Sequence, residues 1–265
     1  MEKVLRYYMF DWDDNILHMP TSIHMINNGK PVDIFPDQYA KVRKDPEWLP
    51  AENAYDEFRD IGPRGYDAFL YDVMMSIGLK RFGPSWDTFI NTLINAEIFL
   101  IITTRGHSTD NFKRAIKHII ENCLTPEQRI IMTHNIMYLV GLFRDNAPPL
   151  DKIVDCYLDY CMFVGICSPE FEDRFGFSPR DKSVEYAKEV GVHAFIDMVN
   201  RRNQILGYHL TVGFSDDDKG YLKQIKKSFA KKSEWGNVVG LYIYDTSNPN
   251  KIKKTISYQK DPNEE

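Results

Sequence analysis

Two clusters of aspartates carry the strongest chemical signal in this sequence. Asp11 and Asp13 stand in the run Asp11-Trp12-Asp13-Asp14-Asn15, and Asp216, Asp217 and Asp218 follow one another near the other end. Carboxylates crowded in this way repel one another and call for a compensating cation. Their hard oxygens suit Mg²⁺, which keeps waters and a substrate phosphate in its shell. Asp11 and Asp13 lie two residues apart, so in extended backbone they point to the same side. One could then attack as a nucleophile while the other donates and accepts a proton. If the transferred group were a phosphoryl group, its oxygens would need positive charge and hydrogen-bond donors. Thr103 could supply a hydroxyl and a backbone N–H at a helix entrance, with Thr104 as its competitor, and Lys182 could supply a point charge.

These residues need elements to bring them together. Residues 4–10, VLRYYMF, form an apolar run that ends abruptly in acids, as a buried strand does. Similar runs at 98–103, 162–167, 208–214 and 240–245 predict four more strands. Between them, helical spacing is visible over 66–82, 86–96, 109–122, parts of 125–160, 181–190 with Gly191 as its stop, 194–203 and 219–232. Residues 21–35 read as a hairpin around Asn28-Gly29, and 36–65 as irregular chain with short turns. Strands alternating with helices predict an α/β fold, a Rossmann-like three-layer sandwich on a parallel central sheet. Ligands of such sheets sit at the carboxyl ends of the strands. There lie Asp11 and Asp13, Thr103 and Thr104, and Asp216 to Asp218, with Lys182 opening the helix before the fourth strand.

Taken together, the set resembles the haloacid dehalogenase-like (HAD) superfamily of hydrolases. The resemblance covers about residues 4–245. Four motifs occur in the family's order: YYMF-Asp11-Trp12-Asp13-Asp14-Asn15, IFLII-Thr103 continued by Thr104-Arg105-Gly106, Lys182, and TVGFS-Asp216-Asp217. It implies a HAD-like core with inserted cap segments. It also implies that Asp11 is the nucleophile of an aspartyl-phosphate pathway and Asp13 the general acid/base. Mg²⁺ would be held by Asp11, the Asp13 carbonyl and Asp216, assisted by Asp217. Aspartate at both 11 and 13 favours a phosphatase over a dehalogenase. Two positions depart from the pattern. Asn15 replaces the commonest Thr, and Gly220 stands where an acid is frequent, which leaves open which of Asp216, Asp217 and Asp218 touches the metal.

By this reading the core comprises 1–17 and 96–250, with a helical insert at about 123–158. Residues 18–95 form a cap and 251–265 a polar tail. The chain has 265 residues, 43% of them hydrophobic, which is ample for a sizeable core. A net charge of −5 is unlike that of a general nucleic-acid coat protein. Cys123, Cys156, Cys161 and Cys167 form no C-x-x-C pair and suggest neither zinc nor a disulfide framework. The start, MEKVLRYYMFDWDD, lacks the apolar centre of a signal peptide, and no run approaches a membrane span. A cytoplasmic, magnesium-dependent phosphohydrolase acting on a phosphorylated small molecule is expected. Lys219, Lys223, Lys227 and Lys231, with Lys226 and Lys232, recur along one helix. A solvated face explains them. A rail for a nucleic-acid end is the sharper alternative, and would suit a polynucleotide end phosphatase. A phosphate-binding protein of the same fold without turnover is the rival outside enzymes. Oligomeric state is not legible.

Overall fold

The computed structural model describes residues 4–60, 62–143, 146, 148–231 and 235–260. Lys232 and residues 261–265 of the expected tail lie outside them. The chain begins with β1 (Val4–Phe10), whose inner residues are buried, and then makes a long excursion. The hairpin β2 (Ile23–Asn27) and β3 (Lys30–Ile34) follows. Its turn residues Asn28 and Gly29 adopt φ 50° and 75°, the twist that a two-residue hairpin demands. Next come α1 (Pro36–Val42) and the short β4 (Trp48–Pro50), which pairs with β2. These strands form a three-stranded antiparallel sheet, order β3-β2-β4. It has its own small core of Ile23, Met25, Ile34 and Phe58. Residues 36–65, expected as irregular, thus contribute a helix and a strand to this module.

Two helices later in the expected 18–95 cap contribute to the main core. Helices α2 (Ala68–Gly78) and α3 (Trp86–Ile94) bury Phe69, Val73, Phe89 and Leu93 against it. The chain continues through β5 (Phe99–Thr103), α4 (Thr109–Cys123), α5 (Pro126–Gly141), α6 (Ile153–Leu158), β6 (Met162–Gly165) and α7 (Pro169–Phe175). It ends with α8 (Val184–Gln204), β7 (His209–Asp216), α9 (Lys219–Lys231), β8 (Val238–Asp245) and β9 (Lys253–Gln259).

The main sheet has six strands in the order β6-β5-β1-β7-β8-β9. All its pairings are parallel except β8 with β9. The chain steps from β1 to β5 to β6 in one direction, then returns past β1 to β7 and β8. Right-handed crossovers in opposite directions put their helices on opposite faces. The packing agrees: α3 meets α5 and α2 meets α4, while α8 lies on β5 and β7 and touches α9. The result is a three-layer sandwich of the Rossmann-like kind. Strand β5 is buried along its whole length because both its faces are covered. No helix among the described residues is long and apolar enough to cross a membrane.

Two expectations are corrected here. The polar segment after 250 is not a frayed tail over 253–259: β9 closes the sheet edge, antiparallel to β8, with Lys254 over the Tyr242 ring. Gly191 does not stop a helix. It lies within α8, buried, where a Cβ would come 2.5 Å from Ile102 Cδ1 and 3.4 Å from Val164 Cγ1. The glycine lets the helix approach β5 and β6 closely, so the segments expected at 181–190 and 194–203 merge into one helix. Gly191→Val should therefore lose about 1–3 kcal/mol by overpacking. The denaturant midpoint would show this. Gly141→Val, where an added Cβ meets nothing within 4 Å, should leave it nearly unchanged.

Candidate active site

The carboxyl end of β1 continues one residue beyond the strand, where Asp11 N donates to Ser215 O at 3.0 Å. The chain then folds back: Ile16 and Leu17 N–H both bond Trp12 O, at 3.0 and 3.3 Å. Asp14 takes φ 56° to make the turn, a conformation Asp tolerates better than most residues. Trp12, fully buried between Phe69 at 5.3 Å and Phe112 at 5.9 Å, anchors the loop into the core. Asn15 clamps it from inside. Its Nδ2 donates to Asp11 O (3.1 Å), Ser215 O (3.2 Å) and Ser215 Oγ (3.0 Å). Its Oδ1 accepts from Ser85 Oγ (2.7 Å) and Thr246 Oγ1 (2.9 Å). Every polar atom of this buried amide is used, as burial requires. Threonine, with a single hydroxyl, could not make that many bonds.

Strand β7 ends in Asp216, which is completely buried, and Asp217 follows. Carboxylate oxygens of Asp11, Asp216 and Asp217 lie within 4.8 Å of one another. One cation answers them. Lys188, 1% exposed, donates from Nζ to Asp11 Oδ1 at 2.9 Å and Asp216 Oδ2 at 2.6 Å, with the Tyr221 ring 4.2 Å away. Asp218 turns aside to pair with Arg43 at 2.8 Å. Lys182, expected to reach this centre, is exposed and precedes Ser183, the N-cap of α8. The physical reason is the helix start: Lys182 lies outside the helix, whereas Lys188 falls on its buried stripe with Ala187, Gly191, Val192 and Phe195. A lysine on an otherwise apolar helical face was the signal available in the sequence.

Asp13 faces the other side of the loop. Arg105 grips both its oxygens, from Nε at 2.8 Å and Nη2 at 2.7 Å. The guanidinium is itself fully buried over the Phe58 ring (4.5 Å) and also donates to Thr21 Oγ1 at 2.8 Å. Its Nη1 lies 3.4 Å from His107 Nε2, while His107 Nδ1 lies 2.8 Å from Asp60. Burial pushes the His107 imidazole below its ordinary value, which fits a neutral ring donating to Asp60 and accepting from Arg105. Thr103 is buried at the end of β5, and its hydroxyl accepts the Arg105 N–H at 3.4 Å. Thr104 is exposed. The structure thus brings Asp11, Asp216 and Asp217 together, places Asp13 at their flank and leaves Lys182 outside. Arg105 and Lys188 are the additional charged members.

Two buried carboxylates and the half-buried Asp217 beside one ammonium leave negative charge unbalanced, and the donor set is entirely hard oxygen, so it fits a divalent cation. Burial lifts Asp11 to about 8, opposed by Lys188 and reinforced by Asp216. Burial also lifts Asp217 to about 7 and Asp216 to about 6. Burial alone would lower the Lys188 ammonium, but Asp11 and Asp216 outweigh it and hold it above its ordinary value.

Carboxylates raised in the folded state keep protons that the unfolded chain has released. Without divalent cation, stability should therefore fall as pH rises from about 5 to about 8, through the raised values of Asp216, Asp217 and Asp11. Added Mg²⁺ should raise the Tm at pH 8 much more than at pH 5, because protons compete for the same oxygens. A Tm indifferent to divalent cations at pH 8 would remove the cation site. In the same assay Asn15→Ala should destabilise by about 2–3 kcal/mol, since Ser85, Thr246, Ser215 and the Asp11 carbonyl lose their shared partner.

No family model, no curated protein and no solved structure matches this chain, so the reading of the site rests on its own geometry.

Proposed function

We propose that the protein is a Mg²⁺-dependent phosphomonoester hydrolase that works through an aspartyl-phosphate at Asp11. One observation carries this reading: at the carboxyl ends of the central strands, Asp11 shares the buried Lys188 with Asp216, beside Asp217. The resemblance of four ordered motifs to the HAD hydrolases supports it, with Lys188 taking the part first expected of Lys182.

Asp11, Asp216 and Asp217 would hold the cation, which would supply charge neutralisation for the phosphate oxygens. Asp11 commits Oδ1 to Lys188, and Oδ2 has no hydrogen bond among the described residues. That oxygen is the one to attack phosphorus, forming an Asp11 O–P bond as the ester oxygen leaves. Lys188 keeps the nucleophile oriented and offsets the repulsion between its charge and the phosphate. Asp13 would serve as the general acid/base: both its oxygens accept from Arg105, so one of those bonds must give way to a proton before Asp13 protonates the leaving oxygen. It then takes one from the water that cleaves the aspartyl-phosphate, so the residue returns to its starting state. Arg105 is a positioning residue: it acts on Asp13, not on substrate.

Hydrolysis of p-nitrophenyl phosphate should require Mg²⁺ and vanish with a chelator. Asp11→Asn should leave no turnover above background, and Asp13→Asn should lower kcat by about 10²–10⁴-fold. Lys188→Met should be similarly damaging, while Lys182→Ala should retain wild-type rates. Equal activity of wild type and Asp11→Asn would overturn the assignment.

A further inference from the structure

A cavity of about 500 Å³ opens at the carboxyl ends of β5 and β6. Arg59 and Asp60 reach it from the chain after β4, Gly106 and Ser108 from the loop after β5, Cys167 from the end of β6, and Arg180 from the segment before α8.

Two of its acids are already engaged. Asp60 accepts from Ser108 N (2.9 Å), Asn111 Nδ2 (2.7 Å) and His107. Those bonds outweigh burial and hold its carboxyl at about 2. Glu170 accepts from Thr109 N (2.9 Å) and Oγ1 (2.6 Å). Glu172 lies exposed at the rim. Arg59 and Arg180, by contrast, have no ion pair among the described residues. Both line the cavity together with Cys167. Two unpaired arginines facing a cavity are an anion site in search of its anion, since guanidinium matches phosphate geometry.

The cavity adjoins the catalytic flank. Gly106 donates its N–H to Phe58 O at 2.9 Å, and a Cβ there would meet Cys167 O at 2.7 Å and Arg59 Cγ at 3.2 Å. Its chain neighbour is Arg105, which holds Asp13. Strand β6 lies two places from β1 in the sheet, so their ends are roughly 10 Å apart.

We propose that Arg59 and Arg180 bind a second phosphate group, carried by the substrate about 10 Å from the phosphate attacked at Asp11. The substrate class is then a bisphosphorylated small molecule. This rests on the phosphohydrolase reading above.

The matched probes are hexyl phosphate and hexane-1,6-diyl bisphosphate, titrated with Mg²⁺ into the Asp11→Asn protein, which does not consume them. The bisphosphate should bind at least tenfold more tightly than hexyl phosphate. Arg59→Ala and Arg180→Ala should each erase most of that advantage and leave hexyl phosphate binding unchanged. Equal binding of the two probes, no binding of either, or an advantage that survives both substitutions would overturn the second-phosphate site. Failure of the wild type to hydrolyse any phosphomonoester would instead sink the phosphohydrolase reading alone, provided the arginine-dependent advantage persisted.

Discussion

The ammonium of Lys188 lies between Asp11 and Asp216, out of contact with solvent, and joins three elements at one point: the ends of β1 and β7 and the first turns of α8. Removing a charge from water costs several kcal/mol unless a partner of opposite sign meets it at hydrogen-bond distance. Neither carboxylate nor the lysine could be buried alone. The ion pairs therefore constrain the angle and height at which α8 crosses the sheet. Gly191, less than one turn further along, makes that approach sterically possible by leaving room for Ile102 and Val164. Packing and electrostatics demand the same position of one helix.

Around that centre, two further buried polar devices remove freedom from the loop that carries Asp11 and Asp13. Asn15 ties the loop to β7, to Ser85 before α3 and to Thr246 after β8, so four stretches of chain share one amide. Gly83 reinforces it, since a Cβ there would strike Asn15 O at 2.5 Å. Arg105 holds Asp13 from the opposite side and is itself sandwiched among aromatic rings, which suits a weakly hydrated, planar cation. Preorganisation of this kind would serve the proposed phosphoryl transfer, because donors already aimed need not reorganise during reaction.

The Arg105 grip also reaches outward. Its Nη2 donates to Thr21, Thr21 donates to Asp72, and Arg64 pairs with both Asp72 and Glu57. Glu57 lies 3.6 Å from His24 on β2. A continuous polar chain thus connects Asp13 to the small antiparallel sheet. That sheet has a core of its own, so these contacts tie it to Asp13 in addition to its covalent connections.

Much of this was legible in the sequence, for reasons local to each segment. Apolar runs such as IFLII are long enough to be fully buried strands and too short for helices, so β1, β5, β6, β7 and β8 could be read directly. Asn28-Gly29 announced its hairpin because few residue pairs adopt two successive positive φ angles. Acids at the ends of such strands pointed to the clustering of Asp11 with Asp216 and Asp217, since parallel strands bring their carboxyl ends to one edge. Other features depended on partners distant in sequence. Lys182 and Lys188 differ in the sequence only by six positions, and which one meets Asp11 is decided by where α8 starts and how it packs. Gly191 reads as a helix stop until Ile102 and Val164 are seen against it. Strand β9 is too polar to signal itself and exists because β8 offers an unpaired edge. Backbone propensity and hydrophobic period act within a dozen residues, and so the sequence by itself determined the elements and their chemistry-bearing ends. Tertiary structure decided which buried charges meet, because an ion pair can be buried only where the whole fold delivers both partners at once.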